Sequence, residues 1–502
     1  MRYGLLLAGA LALAPAVTIA ARAATLSDID TIVVIYAENR SFDNLYGFFP
    51  GANGLANLKP ADYQQVDRDG SLLKELPPIW GGITKDVPQE KTAHMPNAPF
   101  AIDDPNGLNV PFEVATKDLW HRFYQNQMQI NGGKNDHFAA WADAGGLVMG
   151  HYAHAKLPLE RIAKEFVLAD NFFMGAFGGS FLNHFWLVCA CTPTYPNAAN
   201  SPAKSLIAAV EDDKVTLKTK PESPASALDG IPKFFDGNLT PDFYAVNTMQ
   251  PPFQPSGNKP AEGGDPALAD PAKPTTLPPQ TEQHIGDLLS AKNIGWAWYA
   301  GAFQVALDGK NADPVPNYQY HHNPLNYFKD MAPGTPARAE HLRDGGLGGA
   351  AFIAAIDSGK LPAVTFYKPQ GNLNEHPGYA DVLSGDEHIA TLIEHLRKSP
   401  QWAHMVVIVT YDENGGFWDH AKPPKADRWG PGTRIPTLVV SPFAKKGVVD
   451  HTLYDTTSIL RLITRRFGLP RLPGLGIRDA AIQKAGGSPL GDLTAALDIT
   501  AP

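Results

Sequence analysis

Only two of the 502 residues are cysteines, Cys189 and Cys191, which excludes a disulfide-stapled scaffold and a cysteine-based metal cluster. They stand one residue apart in "WLVCACTP", a spacing that reads as too tight for an easy disulfide, so two buried small apolar side chains are expected. Charge is scarce as well. Asp, Glu, Lys and Arg make up 19% of the chain, and 42 basic residues against 51 acidic ones leave a net charge of −9. No basic excess exists to hold a nucleic-acid backbone, so nucleic acid is not an expected partner. A protein of this charge that handles phosphate must find positive charge locally, in a metal, in histidines or at helix N-termini.

Long hydrophobic runs are missing except at the start. There Arg2, a leucine/alanine run and the small-x-small triplet Ala21-Arg22-Ala23 form the pattern of a signal peptide over residues 1–23. Pro15 and the shortness of the run argue against a membrane anchor, and no second run approaches spanning length. The expectation is a soluble, secreted or periplasmic mature protein with no stable membrane span. The leader lacks a paired arginine, which favours the general secretory route over the twin-arginine one.

What the chain does have is a series of short β-branched or aromatic runs that end in polar, glycine-rich turns. They are "TIVVIY" (31–36), "FVLAD" (166–170), "IGWAWYAG" (294–301), "LPAVTFYKP" (361–369), "MVVIVTYDE" (405–413) and "TLVVSPF" (437–443). Unbroken apolar runs of this length suit strands buried on both faces, the habit of parallel sheets. Helix-like segments lie between them at 281–293, 384–400 and 455–468. The second carries Ile389, Leu392, Ile393 and Leu396 on one face, and the third opens on Asp455 and stops at Gly468. Strand alternating with helix predicts an α/β sandwich, with residues 24–502 as one catalytic domain. Two stretches break the pattern. Residues 50–135 are turn-rich, and residues 250–280 hold nine prolines from Pro251 to Pro279; both read as loop-rich insertions.

The chemistry concentrates where these runs end. "TYDENGGFWDH" sets two adjacent acids, Asp412 and Glu413, at the end of a buried-looking strand, where they repel each other unless a cation joins them. "TIVVIY" likewise runs into "AENRSFDNLYG", which offers Glu38 and Asn39. Either pair alone reads as structural, the first as a salt-bridged turn in which Arg40 pairs a local acid; their matching placement points to one oxygen-rich site for one divalent cation, with Ca, Mg, Mn, Fe and Zn all open. Ser180 follows two glycines in "MGAFGGSFLNHFW", where a hydroxyl beside a metal can act as a nucleophile. His137 in "NGGKNDHFAAW", His321 and His322 in "YQYHHNPLNYF", and His376 in "NEHPGY" offer donors for a phosphoryl group and, when protonated, favour a mildly acidic working pH. His94, His121, His151, His154 and His184 carry no assigned role.

These blocks resemble the bacterial phosphoesterase family of secreted phospholipases C and acid phosphatases, from about residue 28 to about 470. "IVVIYAENRSFDNLYGFFPGANGL" is similar to the opening signature of that family, and "YHHNPL", "NEHPGYADVLSGDEHI" and "YDENGGFWDH" follow in the family's order. The resemblance implies an alkaline phosphatase-like central mixed sheet flanked by helices. It implies Glu38, Asn39, Asp412 and Glu413 as metal ligands, Ser180 as nucleophile, and His137, His321, His322 and His376 around the phosphoryl group. The chain ends about thirty residues after Gly468, without room for the β-rich domains of the long phospholipases, and "GGSFLNH" departs from their nucleophile segment. Both points favour a metal-dependent acid phosphatase that acts on small phosphate monoesters through a phosphoserine. Phospholipase C action on phosphatidylcholine-type diesters and a non-catalytic phosphate- or polyol-binding protein are the alternatives. A sulfatase is disfavoured because no C/S-x-P-x-R segment surrounds Ser180.

Overall fold

A computed structural model describes residues 23–153 and 156–500. The expected leader, apart from Ala23, and His154 lie outside the described residues. The architecture is built on an eight-stranded sheet: β1 (Thr31–Ala37), β2 (Val167–Ala169), β3 (Trp296–Gly301), β4 (Leu342–Gly346), β5 (Val364–Lys368), β6 (Met405–Tyr411), β7 (Thr437–Val440) and β8 (Val448–Asp450). Their spatial order is β8-β2-β7-β6-β1-β5-β3-β4. β7 runs antiparallel to both its neighbours, while every other pairing is parallel, so the sheet is mixed as expected.

Every residue of β1 and of β6 is buried, which is what apolar side chains on both faces require. Helices named here are α1 (Phe42–Tyr46), α2 (Phe123–Ile130), α3 (Pro158–Glu165), α4 (Ser180–Val188), α5 (Ile285–Ala291), α6 (Val382–Lys398) and α7 (Thr457–Phe467). The stripe Ile389, Leu392, Ile393 and Leu396 of α6 is fully buried, and Asp381 caps the helix by accepting from the Ser384 amide. α4 is buried along its whole length and packs against α7.

Residues 50–135 carry little regular structure beyond α2. Their apolar side chains, among them Leu76, Ile79 and Ile102, gather with Phe138, Leu147, Phe417 and Trp418 in a second hydrophobic cluster apart from the sheet core. The proline-rich stretch 250–280 has no helix or strand and is held by isolated bridges, Gln250 to Thr276 and Phe253 to Leu268. Arg338 and Asn326 anchor it through the carbonyls of Gln254, Phe253 and Pro255.

One expectation fails here. Cys189 and Cys191 are joined by a disulfide across a Cα–Cα distance of 5.1 Å. Ala190 between them takes a left-handed conformation at φ 49°, which turns the chain sharply after α4 and brings the two Cα atoms into disulfide range.

Candidate active site

β1 lies between β5 and β6, all three parallel, and Ala37 is in register with Tyr411. The next residues of the chain therefore emerge together: Glu38 and Asn39 from β1, Asp412 and Glu413 from β6, while Lys368 closes β5. Glu38, Asn39, Asp412 and Glu413 are all completely buried. Backbone ties fix the cluster: the Asn39 amide donates to Asp412 Oδ1 at 3.1 Å, and the Asp412 amide to the Ala37 carbonyl at 3.1 Å. Asn39 is left-handed, at φ 61°, and its carbonyl approaches the Gly415 backbone so closely that a Cβ there would sit 2.3 Å away. Glycine at 415, itself at φ 59°, is the residue that this approach and this conformation both demand.

Ser180 begins α4 and meets the same carboxylates. Its Oγ donates to Glu38 Oε2 at 2.9 Å and lies 3.4 Å from Asn39 Oδ1. Gly178, at φ 91°, lets the preceding turn press on the backbone of Phe123, where an added Cβ would come within 2.5 Å. Ser180, Gly179, His121, Arg122, Trp120 and His321 are among the residues around a cavity of about 220 Å³. The nucleophile candidate thus stands at an opening, with the carboxylates behind it.

The histidines sort into two groups. His322 Nε2 is 3.4 Å from Glu38 Oε1, and its ring stacks on that of His184 with centroids 5.1 Å apart. His321 packs edge-on against His322 and His376 edge-on against His121. His137 is elsewhere: its Nδ1 is 4.0 Å from Asp136, and its ring packs edge-on against Trp141. That departs from the expected ring of phosphoryl donors, because the Asn/Gly-rich turn around His137 belongs to the second hydrophobic cluster rather than to a strand end.

Three residues unassigned in the sequence reading belong here. His184 lies one turn beyond Ser180, with Nδ1 2.7 Å from the Ser180 carbonyl and 3.8 Å from Asp412 Oδ2, and Nε2 4.0 Å from Glu38 Oε1. Its i, i+4 relation to Ser180 was available from the sequence. His121 Nε2 is 3.5 Å from Asn39 Nδ2 and 3.9 Å from Glu413 Oε1; no periodicity in its irregular segment marks it. Lys368 is buried and forms an ion pair with Glu38 Oε1. A charged residue at the end of an apolar strand was its signal.

Burial, then the neighbouring Asp412, pushes the Glu38 carboxyl well above its ordinary range, with Lys368 opposing; Glu413 is raised by burial and by Asp412 in the same way. Burial likewise drives His184, His322 and His376 well below the usual imidazole value and His321 down to about 3. Burial thus favours the neutral rings, and His184 and His322 each keep a buried Nε2 without a hydrogen-bond partner. The acid-favoured, protonated state expected of these four rings is not what burial supports for the three at the site.

The donor set fits a metal cation. Asp412 Oδ2, Glu413 Oε1, His184 Nε2 and His322 Nε2 are buried without a hydrogen-bond partner, an arrangement that is costly in a folded core. Glu38, Asp412 and His184 each offer an atom within 4.8 Å of the others. A cation among Glu38, Asp412 and Glu413 would oppose the burial and mutual repulsion that push the Glu38 and Glu413 carboxyls up, and with the three ionised beside a charged Lys368 the site would carry two negative charges, the complement of a divalent ion.

A mixed sheet with buried acids at adjacent strand ends, a serine at a helix start and neutral histidines is the layout of a hydrolase acting on phosphoric ester bonds. The chain belongs to the phosphoesterase family, whose model matches residues 29–470. It is similar to phospholipase C B of Mycobacterium tuberculosis, 24% identical over 516 residues, covering 95% of this chain and 79% of the relative. Similarity to the non-hemolytic phospholipase C of Burkholderia pseudomallei is 22% over 514 residues, 96% of this chain and 60% of the relative. Non-specific phospholipase C6 of Arabidopsis thaliana is 34% identical over 145 residues, 22% of this chain and 27% of the relative. Among solved structures, a protein of the alkaline phosphatase superfamily from Vibrio parahaemolyticus aligns with TM-score 0.33 and 11% identity over 70% of this chain and 65% of its own.

Proposed function

We propose that this enzyme is an exported phospholipase C that cleaves phosphatidylcholine-type diesters through Ser180. Several relatives similar along nearly the whole chain are named as phospholipases C, which favours the diester over the small monoesters expected from sequence. The observation that carries the mechanism is Ser180 Oγ, hydrogen-bonded to Glu38 Oε2 at the cavity wall. Export is part of the proposal and rests on the leader pattern in residues 1–23.

One divalent cation, held by Glu38, Asn39, Asp412 and Glu413 with His184 beside them, would polarise a phosphoryl oxygen and lower the pKa of a nearby hydroxyl. Ser180 Oγ attacks phosphorus as its proton passes to Glu38 Oε2; the Oγ–P bond forms and the bond from phosphorus to the diacylglycerol oxygen breaks. His322, neutral, donates a hydrogen bond to an equatorial oxygen; the ring N–H of neutral His376 goes to the Pro377 carbonyl, which leaves it no proton to donate there. His121, which lines the cavity beside Ser180, is the residue we assign to pass a proton to the leaving oxygen. Water then cleaves the phosphoserine ester and releases the phosphorylated head group.

Turnover of phosphatidylcholine and of p-nitrophenyl phosphate, by wild type and by Ser180→Ala, tests this. Release of phosphorylcholine and diacylglycerol, reduced on the order of a thousandfold or more in the variant, is expected. A wild type that turns over only the monoester would return the acid phosphatase reading. Full activity in Ser180→Ala would remove the serine from the reaction, and binding without turnover of either substrate would leave a phosphate-binding protein.

A further inference from the structure

The ends of β1 and β6, which carry the acids of the site, are both tied to one short loop, residues 374–376. The Glu38 amide donates to the Asn374 carbonyl at 2.9 Å, and Asn374 Oδ1 accepts from the His376 amide at 3.0 Å. Between them stands Glu375, completely buried and left-handed at φ 76°, a conformation that a residue with this side chain rarely adopts. Its carbonyl receives two hydrogen bonds from Arg40, Nε at 3.1 Å and Nη2 at 2.7 Å. Its carboxyl receives the Tyr411 hydroxyl, at 2.9 Å to Oε2 and 3.1 Å to Oε1. Arg40 follows Asn39 and Tyr411 precedes Asp412.

We infer that Glu375 is a positioning residue that sets the spacing between the β1 and β6 ligands and His376 without touching the cation; this rests on the cation site described above. Two observations argue that its carboxyl has a purpose beyond filling space. A glutamate in this backbone conformation is strained where glycine would not be, and a buried carboxyl needs more than one tyrosine hydroxyl to offset the water it leaves. The molecule keeps both costs where the two ligand-bearing strand ends meet the loop of His376. α6 is shaped to the same end: a Cβ at Gly385 would come within 2.4 Å of Glu375 Cγ, so the helix carries a glycine against this side chain. Arg40 is buried and directs its guanidinium to the Glu375 carbonyl and to Asn44 Oδ1, at 3.4 Å, so its charge steadies a backbone position. Removing the carboxyl frees Tyr411, and with it the approach of Asp412 to the Asn39 amide.

The test is the affinity of metal-stripped protein for Mn²⁺, Zn²⁺ and Ca²⁺, by titration calorimetry, in wild type, Glu375→Gly, Glu375→Gln, Tyr411→Phe and Asp412→Asn. Thermal unfolding and the split between kcat and KM at saturating metal are measured alongside. Glu375→Gly relieves the backbone strain but deletes the carboxyl. Affinity for the preferred ion should weaken about 10–100-fold in Glu375→Gly and in Tyr411→Phe, the range for residues that orient ligands, and Gln at 375 should restore the larger part. A double variant carrying both Glu375→Gly and Tyr411→Phe should bind no more weakly than the worse of the two single ones. Should Glu375→Gly fail to fold, Glu375→Gln and Tyr411→Phe decide by the same reading. Folded variants that bind the ion as tightly as wild type overturn the inference while the cation site stands. A wild type that binds none of the three ions, or binds them no better than Asp412→Asn, removes the cation site and this inference with it.

Discussion

Lys368 decides how much negative charge the site can hold. Its ammonium pairs with Glu38 Oε1, lies 5.2 Å from the centre of the Tyr36 ring, and is shielded from water. Replacing it by methionine keeps the apolar stem and leaves a buried carboxylate without its counter-ion, a change worth about 3–5 kcal/mol where no other cation is present. Lys368→Met should therefore lose most stability in urea when chelator is present and recover much of it when metal is added. An equal loss under both conditions would mean that Lys368 supports the strand and not the charge balance. The residue scale is also where the sequence was most uneven as a guide. Asp412 and Glu413 were legible because two acids ending an apolar strand have no cheap structural explanation. His121 was not, because an irregular segment has no period to reveal which side chain points inward. His137 was misplaced because Asn/Gly-rich turns look alike whether they border a site or close a hydrophobic cluster.

At the scale of elements, the six apolar runs are six of the eight strands, and their buried faces explain why they could be read directly. The two strands of the central sheet that were missed are β4, "LRDGG", and β8, "VVD", which form its two edges. An edge strand is covered on fewer sides, so it can be short, polar or glycine-containing and leaves little pattern. Helices are joined by a less visible device. Asp386 in α6 accepts from the Leu159 amide in the first turn of α3 at 2.9 Å, and its other oxygen has no partner. Burial pushes this carboxyl up to about 8. The unfolded value is about 3.9, so between the two the folded chain holds a proton that the unfolded chain has released. The stability this group contributes is present below the unfolded value and is lost as pH rises through about 8. Urea midpoints at pH values of about 5 and about 9 should fall more in wild type than in Asp386→Asn, which keeps its shape but cannot ionise. Parallel declines in the two proteins would show that the α3–α6 contact does not titrate.

For the whole molecule, the net charge of −9 says little, because the charges that matter are turned inward. Parallel strands deliver Glu38, Asp412 and Glu413 to one dry place, and the fold is stable there only if something positive stays. The sheet and its strand ends were legible in the sequence; the packing of 50–135 and 250–280 around them was not, since loops ordered by side-chain-to-backbone hydrogen bonds have no repeating pattern to read. With a cation in the proposed site, its binding and folding would be one equilibrium. A ligand that binds only the folded chain at roughly 100-fold above its Kd stabilises it by about 2.7 kcal/mol. Chelation should lower the thermal midpoint of wild type by several degrees, reversibly, with the shift growing as free metal is reduced. Asp412→Asn, which removes a proposed ligand and one of the repelling carboxylates together, should unfold at nearly the same temperature with or without chelator. If the wild-type midpoint does not move on chelation, the buried acids are balanced by Lys368 and by protons alone, and the two negative charges counted at the site are not ionised in the folded protein.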